Sequence, residues 1–386
     1  MRFIHTADWH LGRILYGVHL TDDQAFLLDQ FVGYARENKV DAVLIAGDIY
    51  DRAVPPLEAV RLLDETLAKL VIDLNIPVFM IPGNHDSGGR LGFGSRIMSD
   101  KGLHVINSLK PSEQIFQLQD SYGDVYLSAI PFIDPVLARQ YFQDDGIINQ
   151  NSALKASISG ISNLIPPNAR SIVLAHAFVT GGTVSDSERP ISVGTAEEVE
   201  VSNFDRFNYV ALGHLHRPQS ISNKSINYSG SLLKYSFSEA SHNKSFNFVE
   251  MDAKGSCTIE KVSLTAKHDL RRISGTMQEI LGNAAADRHP DDYLEVSLTD
   301  TGPILNALPR LREVYKNVMH IERPQFKVDR TKRIEGDVTK LSDVDLFGAF
   351  YKQVKGVDLP ETHSMVLSKV LNDMLAEQRE AEDATS

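Results

Sequence analysis

The chain has 386 residues, 42% of them apolar and 23% charged, a length that suits two or three domains better than one core. Its one cysteine, Cys257, excludes an internal disulfide and a thiolate-rich metal site, and fits a reducing compartment, the cytoplasm. A net charge of −12 argues against strong autonomous nucleic-acid binding, so any basic footprint is local or a partner supplies it.

Arg2–Thr6 reads as a strand rather than a leader, and Asp22–Asn38 as a helix. Val40–Ala46 is a second strand. Pro56–Leu74 has helical spacing through Val60, Leu63, Leu67 and Leu70, and Pro77–Ile81 is a third strand. This alternation predicts a mostly parallel sheet with helices on its faces. Further strands are expected at Asp124–Ile130, Ser171–Ala175 and Tyr209–Leu212, with a helix at Ser152–Leu164. The most apolar stretch, Leu67–Pro82, is broken by Lys69, Asp73, Asn75 and Pro77, so no membrane span is expected.

After about His268 the character changes. Leu270–Gly275, Thr276–Ala286, Tyr293–Leu298, Ile304–Lys316 and Val318–Arg323 suggest a small α+β domain. Its second half is basic through Arg310, Arg312, Lys316, Arg323, Lys327, Arg330, Lys332 and Arg333. From Ser342 two amphipathic helices are expected. One carries Leu346, Phe347, Phe350, Tyr351 and Val354; the other carries Met365, Val366, Val370, Leu371, Met374 and Leu375. Domains are accordingly expected at 1–268, 269–340 and 341–386.

The residues able to do chemistry fall in one kind of place. Asp8, Asp48, Asn84, His176 and His214 each follow an apolar strand run, and open α/β sheets bind ligands outside the carboxyl ends of their strands. Asp8-Trp9-His10 sets a carboxylate and an imidazole two apart, within reach of one cation. Gly47-Asp48 allows a tight turn and offers a carboxylate able to bridge two cations. Gly83-Asn84-His85-Asp86 adds a neutral oxygen ligand, a proton donor, and an aspartate placed to hold that imidazole. Gly213-His214-Leu215-His216 sets two imidazoles around one apolar residue, a poor choice for a core. Alone, Asp-x-His or Gly-Asp is weak and His176 reads as a satisfied core histidine; five such elements at strand ends form a site. Imidazole, carboxylate and amide without thiolate suit Mn²⁺, Fe²⁺ or Zn²⁺ over Ca²⁺.

In this order the motifs resemble the calcineurin-like metallophosphoesterases. The longer strings His5–Gly12, Ala46–Asp51, Gly83–Ser87, Tyr209–Arg217 and Tyr228–Ser231 resemble those of the bacterial SbcD nuclease subunits. The resemblance runs from Met1 to about Val262 by motif and beyond by layout. It implies a four-layer α-β-β-α fold with a small α+β capping domain and C-terminal helices that bind the partner. It also implies two divalent cations, Mn²⁺, one held by Asp8, His10, Asp48 and His216, the other by Asp48, Asn84, His176 and His214. His85 corresponds to the catalytic histidine. Asp51 stands where archaeal and eukaryotic relatives carry a second active-site histidine, and is expected only to orient neighbours. Arg13 and Arg90 are expected to contact DNA.

The partners implied are an SbcC-type SMC-like ATPase, two copies of each chain in a heterotetramer, and a second copy of this chain in a homodimer. The substrates implied are double-stranded, single-stranded and hairpin DNA, cut by exonuclease and endonuclease action in repair and recombination. Because a fold does not fix a substrate, two alternatives stand beside this. One is a small-molecule phosphatase or cyclic-nucleotide phosphodiesterase; the other is a scaffold that keeps the fold without the chemistry.

Overall fold

The computed structural model describes residues 1–188, 198–222, 225–324, 342–355 and 357–383. They fall into two compact units, 1–272 with 287–295 and 312–320, and 273–286 with 296–311 and 321–386.

The first unit is built on two six-stranded sheets. In one the order is Cys257–Ser263, Ser245–Met251, Arg2–Thr6, Ala42–Ala46, Val78–Ile81, Leu103–Val105. Its last four strands are parallel, and the 245–263 hairpin closes the other edge antiparallel. The second sheet runs Gln219–Ile221, Ile226–Tyr228, Tyr209–Gly213, Arg170–His176, Gly123–Ile130, Ile115–Asp120. Its four central strands are parallel, with an antiparallel strand at each edge.

Alternation along the strands, whose side chains point to opposite faces in turn, explains the layering. Phe3, Leu44, Ala46, Phe79 and Ile81 face Val125, Leu127, Ile172, Leu174 and Tyr209 across a core between the sheets. Their neighbours Ile4, Val43, Ile45, Val78 and Met80 point outward, onto Leu27, Leu28 and Phe31 of helix Thr21–Glu37 and Leu63 and Leu67 of helix Leu57–Ala68. Across the molecule Val173, Ala175, Val210 and Leu212 do the same against Ala138 of helix Pro135–Phe142 and Leu154, Ile158 and Ile161 of helix Gln150–Ser162. The result is the four-layer α-β-β-α arrangement. The alternation over Arg2–Ile81 gives the first, mostly parallel sheet as expected, and the second sheet completes the four layers that the resemblance implies. Strands buried on both faces read as continuous apolar runs and say nothing about which sheet they join.

The long helix expected over Pro56–Leu74 is α-helical to Ala68 and closes with one π turn, Lys69–Asp73. After His268 the strands Leu270–Gly275, Tyr293–Leu298 and Val318–Glu322 form one small sheet in that order. Helix Met277–Asn283 starts on a reciprocal cap between Thr276 and Glu279. Both C-terminal helices form, at Asp343–Lys355 and Glu361–Asp383. Among the described residues no helix is long and apolar enough to cross a membrane. Of the expected basic stretch, Arg310 and Lys316 are exposed, whereas Arg312 donates to Val318 O and Arg323 to Asp300 O and Gly302 O. Lys327, Arg330, Lys332 and Arg333 lie outside the described residues.

Candidate metal centre

The strand ends converge as the motif order requires. Asp8 follows Arg2–Thr6, Asp48 follows Ala42–Ala46, His85 follows Val78–Ile81, His176 ends Arg170–His176, and His214 follows Tyr209–Gly213. The two sheets meet here almost without side chains between them. A Cβ on Gly213 of the second sheet would lie 1.9 Å from Ala46 O of the first; within the first sheet, one on Gly83 would lie 2.2 Å from Asp48 Oδ1. Asp8, His10, Asp48 and His214 all have positive φ, 54°, 44°, 50° and 103°. Non-glycine residues adopt that region at a cost and persist there when their surroundings hold them.

Those surroundings are visible. Gln24 donates to Trp9 O and His10 O at 3.1 and 2.8 Å and accepts from Gly12 N, so it pins the first loop. Tyr235 OH also donates to Trp9 O. Asp86 takes three backbone N–H groups, Ile49 at 3.0 Å, Tyr50 at 2.9 Å and Gly83 at 2.9 Å, tying the Asp48 loop to the Asn84 loop. The expectation that Asp86 holds the His85 imidazole is therefore corrected. The partner of His85 Nδ1 is Asp51 O at 2.8 Å, and no backbone N–H pattern in the sequence announced that exchange. Burial first, then the Asp48 carboxylate, pushes Asp86 up to about 7.

The side chains that remain point at one another. Asp48 Oδ1 accepts from His85 N at 2.9 Å, which aims Oδ2 into the middle of the group. Oδ2 lies 3.7 Å from His10 Nε2, 3.5 Å from His176 Nε2 and 4.0 Å from His85 Nε2. On one side His10 Nε2 and His216 Nε2 face each other at 3.0 Å, with Asp8 close by. On the other, Asn84 Oδ1 is 2.9 Å from His176 Nε2 and 3.3 Å from His214 Nδ1. Asp8 accepts from His214 N. All these groups are buried except Asn84, which is partly exposed.

The electrostatics are those of a cation site. Burial, then the nearby Asp48, holds the Asp8 carboxyl well above the usual carboxylate range, since two buried carboxylates resist ionising together. Burial and the neighbouring imidazoles push His10 and His214 well below the ordinary histidine value, and burial lowers His176, so these rings are neutral and able to ligate. His176 Nδ1 donates to Ala46 O at 2.8 Å, leaving the Nε2 lone pair free. The Nε2 atoms of His10 and His216 lie 3.0 Å apart, near enough for one ring to donate to the other or for both to ligate one cation. The donor set therefore fits divalent metal.

Arg13 lies at the rim, where Nη1 bonds Asp51 Oδ1 at 2.7 Å; the other oxygen-to-imidazole approach of Asp51 is to His10 Nδ1, 3.8 Å. Arg90 is exposed on the turn Gly88–Leu91 and lines an apolar hollow with Phe93 and Ile97 instead. Sequence reasoning missed four contributors, Gln24 on the first loop and Ser187, Glu239 and Lys244, each of which contacts His216. Only the helix-start position of Gln24 was visible beforehand.

Residues 1–218 match the family model for calcineurin-like phosphoesterases, and 266–355 match one described as the type 5 capsule protein repressor C-terminal domain. The SbcD chain of the SbcCD nuclease of Staphylococcus epidermidis is 33% identical over 97% of this chain and 99% of its own. That of Staphylococcus saprophyticus is 33% identical over 98% and 99%. A solved dimetal phosphatase of Danio rerio is 15% identical over 69% of this chain and 99% of its own, with a TM-score of 0.41. With the calcineurin-like match covering the whole metal centre and the relatives matching end to end, the chain belongs to the SbcD family of nuclease subunits and is a metal-dependent phosphodiesterase.

Proposed function

We propose that this chain hydrolyses DNA phosphodiesters with two Mn²⁺ ions, as the nuclease subunit of an assembly with an SbcC-type ATPase. The observation that carries the reading is Asp48 Oδ2, set among His10, His176 and His85 with a donor group on each side of it. Asp8, His10, Asp48 and His216 hold one ion; Asp48, Asn84, His176 and His214 hold the other. When bound, such ions supply Lewis acidity toward a phosphodiester and a nucleophilic water near neutral pH. The protein's part is to aim the ligands, to exclude bulk water from a buried floor, and to move a proton. His85 does the last. With Nδ1–H committed to Asp51 O, Nε2 faces the site, and in the imidazolium form it carries the second ring proton, which it can give to the leaving oxygen or use to balance its charge, a role worth about 10²–10⁴-fold. Asp51 positions His85 and Arg13, and Arg13 meets the DNA backbone at the rim. Arg90 is left with its DNA contact as the weaker half of that pair.

The partners follow from exposed apolar side chains. On Asp343–Lys355 and Glu361–Asp383, Phe347, Phe350, Met365, Val366 and Met374 are exposed, a composition a solvated helix does not need. These helices (341–386) dock on the coiled-coil base of the ATPase, and 269–340 caps DNA. In the first unit Val54, Val60, Ile72, Phe93 and Ile97 are exposed around a hollow of about 690 Å³, the face assigned to a second copy in a homodimer, giving a heterotetramer with two ATPase chains. Cys257 as a single thiol fits the cytoplasm, where repair and recombination substrates lie.

The test is Mn²⁺-dependent cleavage of blunt duplex, single-stranded and hairpin DNA, with and without the ATPase and ATP. Exonuclease and endonuclease products are expected. Hydrolysis of p-nitrophenyl esters but of no DNA substrate would move the reading to a small-molecule phosphatase.

A further inference from the structure

Behind His216 lies a buried ion pair that the two-cation reading leaves without a task. Glu239 and Lys244 are 0% and 7% exposed, and they contact each other directly. Lys244 Nζ also reaches His216 O and Ser231 Oγ, each at 2.8 Å. Glu239 Oε1 accepts from the Ser187 hydroxyl and lies 3.4 Å from His216 Nδ1. Ser187 Oγ is 2.7 Å from that same Nδ1. Because the Ser187 hydroxyl proton is given to Glu239, its lone pair must accept from His216, so the proton order runs His216 Nδ1–H to Ser187 Oγ–H to Glu239. The His216 backbone is fastened too, its N–H donating to Glu188 Oε1 at 2.8 Å.

We infer that Glu239, held by Lys244 and relayed through Ser187, is a positioning residue that fixes the His216 tautomer and aims its Nε2 lone pair at the cation shared with His10. The geometry argues this in three ways. Among the described residues, Nδ1 is the only ring nitrogen of His216 with an oxygen acceptor, so the proton resides there and Nε2 is left bare at 3.0 Å from His10 Nε2. A carboxylate behind an imidazole also makes the ring a stronger donor to metal, and losing such a group typically lowers metal affinity about 10–100-fold. Lys244 then has a purpose that packing alone does not give it: a buried carboxylate without a counter-charge would be expensive, and a buried ammonium needs the three acceptors it has here. Histidine ligands of the second cation are oriented differently, His176 by a backbone carbonyl. The relay is therefore specific to one of the two positions.

This inference rests on the metal assignment proposed above, and the experiment separates the two. Mn²⁺ alone is titrated into the metal-free full-length chain by calorimetry, with bound Mn²⁺ counted by electron paramagnetic resonance. The wild type is expected to take two equivalents; fewer than two would overturn the metal assignment itself, and the inference with it. Glu239→Gln is expected to weaken one equivalent by about 10–100-fold and leave the other unchanged. Glu239→Gln combined with Lys244→Met removes the stranded ammonium and is expected to melt as the wild type does while its weak equivalent stays weak. Recovery of both melting and affinity in that double variant would mean that the pair serves the fold only, and would overturn the inference. So would two undiminished equivalents in Glu239→Gln. Ser187→Ala removes the relay without stranding a charge, and is expected to weaken the same equivalent several-fold; unchanged binding there would equally overturn it.

Discussion

Replacing Asp86 by asparagine tests how the ligand loops are held. In the structure Asp86 Oδ2 accepts from Ile49 N and Gly83 N, and Oδ1 accepts from Tyr50 N, so three backbone donors from two loops converge on one carboxylate. Asparagine keeps one oxygen and turns an NH₂ toward the remaining donor or donors. One or two N–H groups then face another donor, and a buried unsatisfied group costs about 1–3 kcal/mol. The expected loss is about 1–6 kcal/mol, a fall in melting temperature of roughly 2–24 °C at about 2–4 °C per kcal/mol for a domain of this size. Because the same carboxylate ties Asp48 to the Asn84 loop, Mn²⁺ affinity is expected to fall with stability. The pH dependence has a definite sign. Folding raises the Asp86 pKa to about 7, so in the metal-free protein its contribution is full below the ordinary carboxylate pKa and is lost as pH rises through about 7. Thermal and urea unfolding of the metal-free chain between about pH 5 and 8, with Mn²⁺ titration alongside, provide the assay. An asparagine variant with unchanged melting and unchanged Mn²⁺ affinity would refute the clamp.

Asp120 carries a second prediction. It bonds Arg170 at 2.6 Å and the Met1 amino group at 2.7 Å, both buried, so Asp120→Ala strands two cations and should cost about 3–5 kcal/mol by urea unfolding. Arg170 first, then the Met1 amine, holds its pKa well below the carboxylate range; that stability is present above about pH 4 and lost as pH falls below it, and the variant should show a shallower acid limb. Gly213→Ala puts a methyl against Ala46 O and His176 Nδ1, neither of them a flexible chain end, and should lower stability by at least about 1–3 kcal/mol and weaken Mn²⁺ binding. Wild-type melting in that variant would contradict the close approach of the sheets. Phe93→Glu with Ile97→Glu is expected to give a monomer by sedimentation, and Phe347→Glu with Phe350→Glu to abolish ATPase capture while bound metal is kept; a dimer or a captured ATPase would redirect those faces.

Much of this was legible in the sequence because the site is written in local strings. Asp8-Trp9-His10 and Gly213-His214-Leu215-His216 sit at strand ends whose apolar runs are unbroken, so element type, order and chemistry could be read together. Gly83 and Gly213 were visible as turn residues, but their tasks, to let Asp48 pack on the neighbouring loop and to let the two sheets touch at Ala46, are tertiary facts. Which strands join the second sheet was not readable from periodicity, because Tyr209–Gly213 and Arg170–His176 are buried on both faces and lack alternation; the two-sheet layering came from the family resemblance. Short strands such as Gln219–Ile221 at the edge and Ile226–Tyr228 beside it give too few residues for a period. The helix at Pro135–Phe142 was in principle readable, since Asp134 caps it ahead of a proline at its first position. Glu239 and Lys244 offered no signal: a glutamate and a lysine five apart read as surface, and only the fold places them behind a histidine. The Asp86 exchange is similar, because adjacency to His85 in sequence suggested a side-chain pairing that the turn geometry does not allow.

The measurement that bears most directly on the central claim joins metal content to cleavage in one variant. His85→Gln keeps every assigned ligand and removes only the Nε2 group that faces the site. Bound Mn²⁺ per chain and the rate of hairpin and duplex DNA cleavage would be measured on the same preparation. Two equivalents of Mn²⁺ with cleavage reduced at least about 10²-fold is the predicted result. Full cleavage with two equivalents bound would contradict the role given to His85, and loss of metal in that variant would place the histidine among the ligands instead.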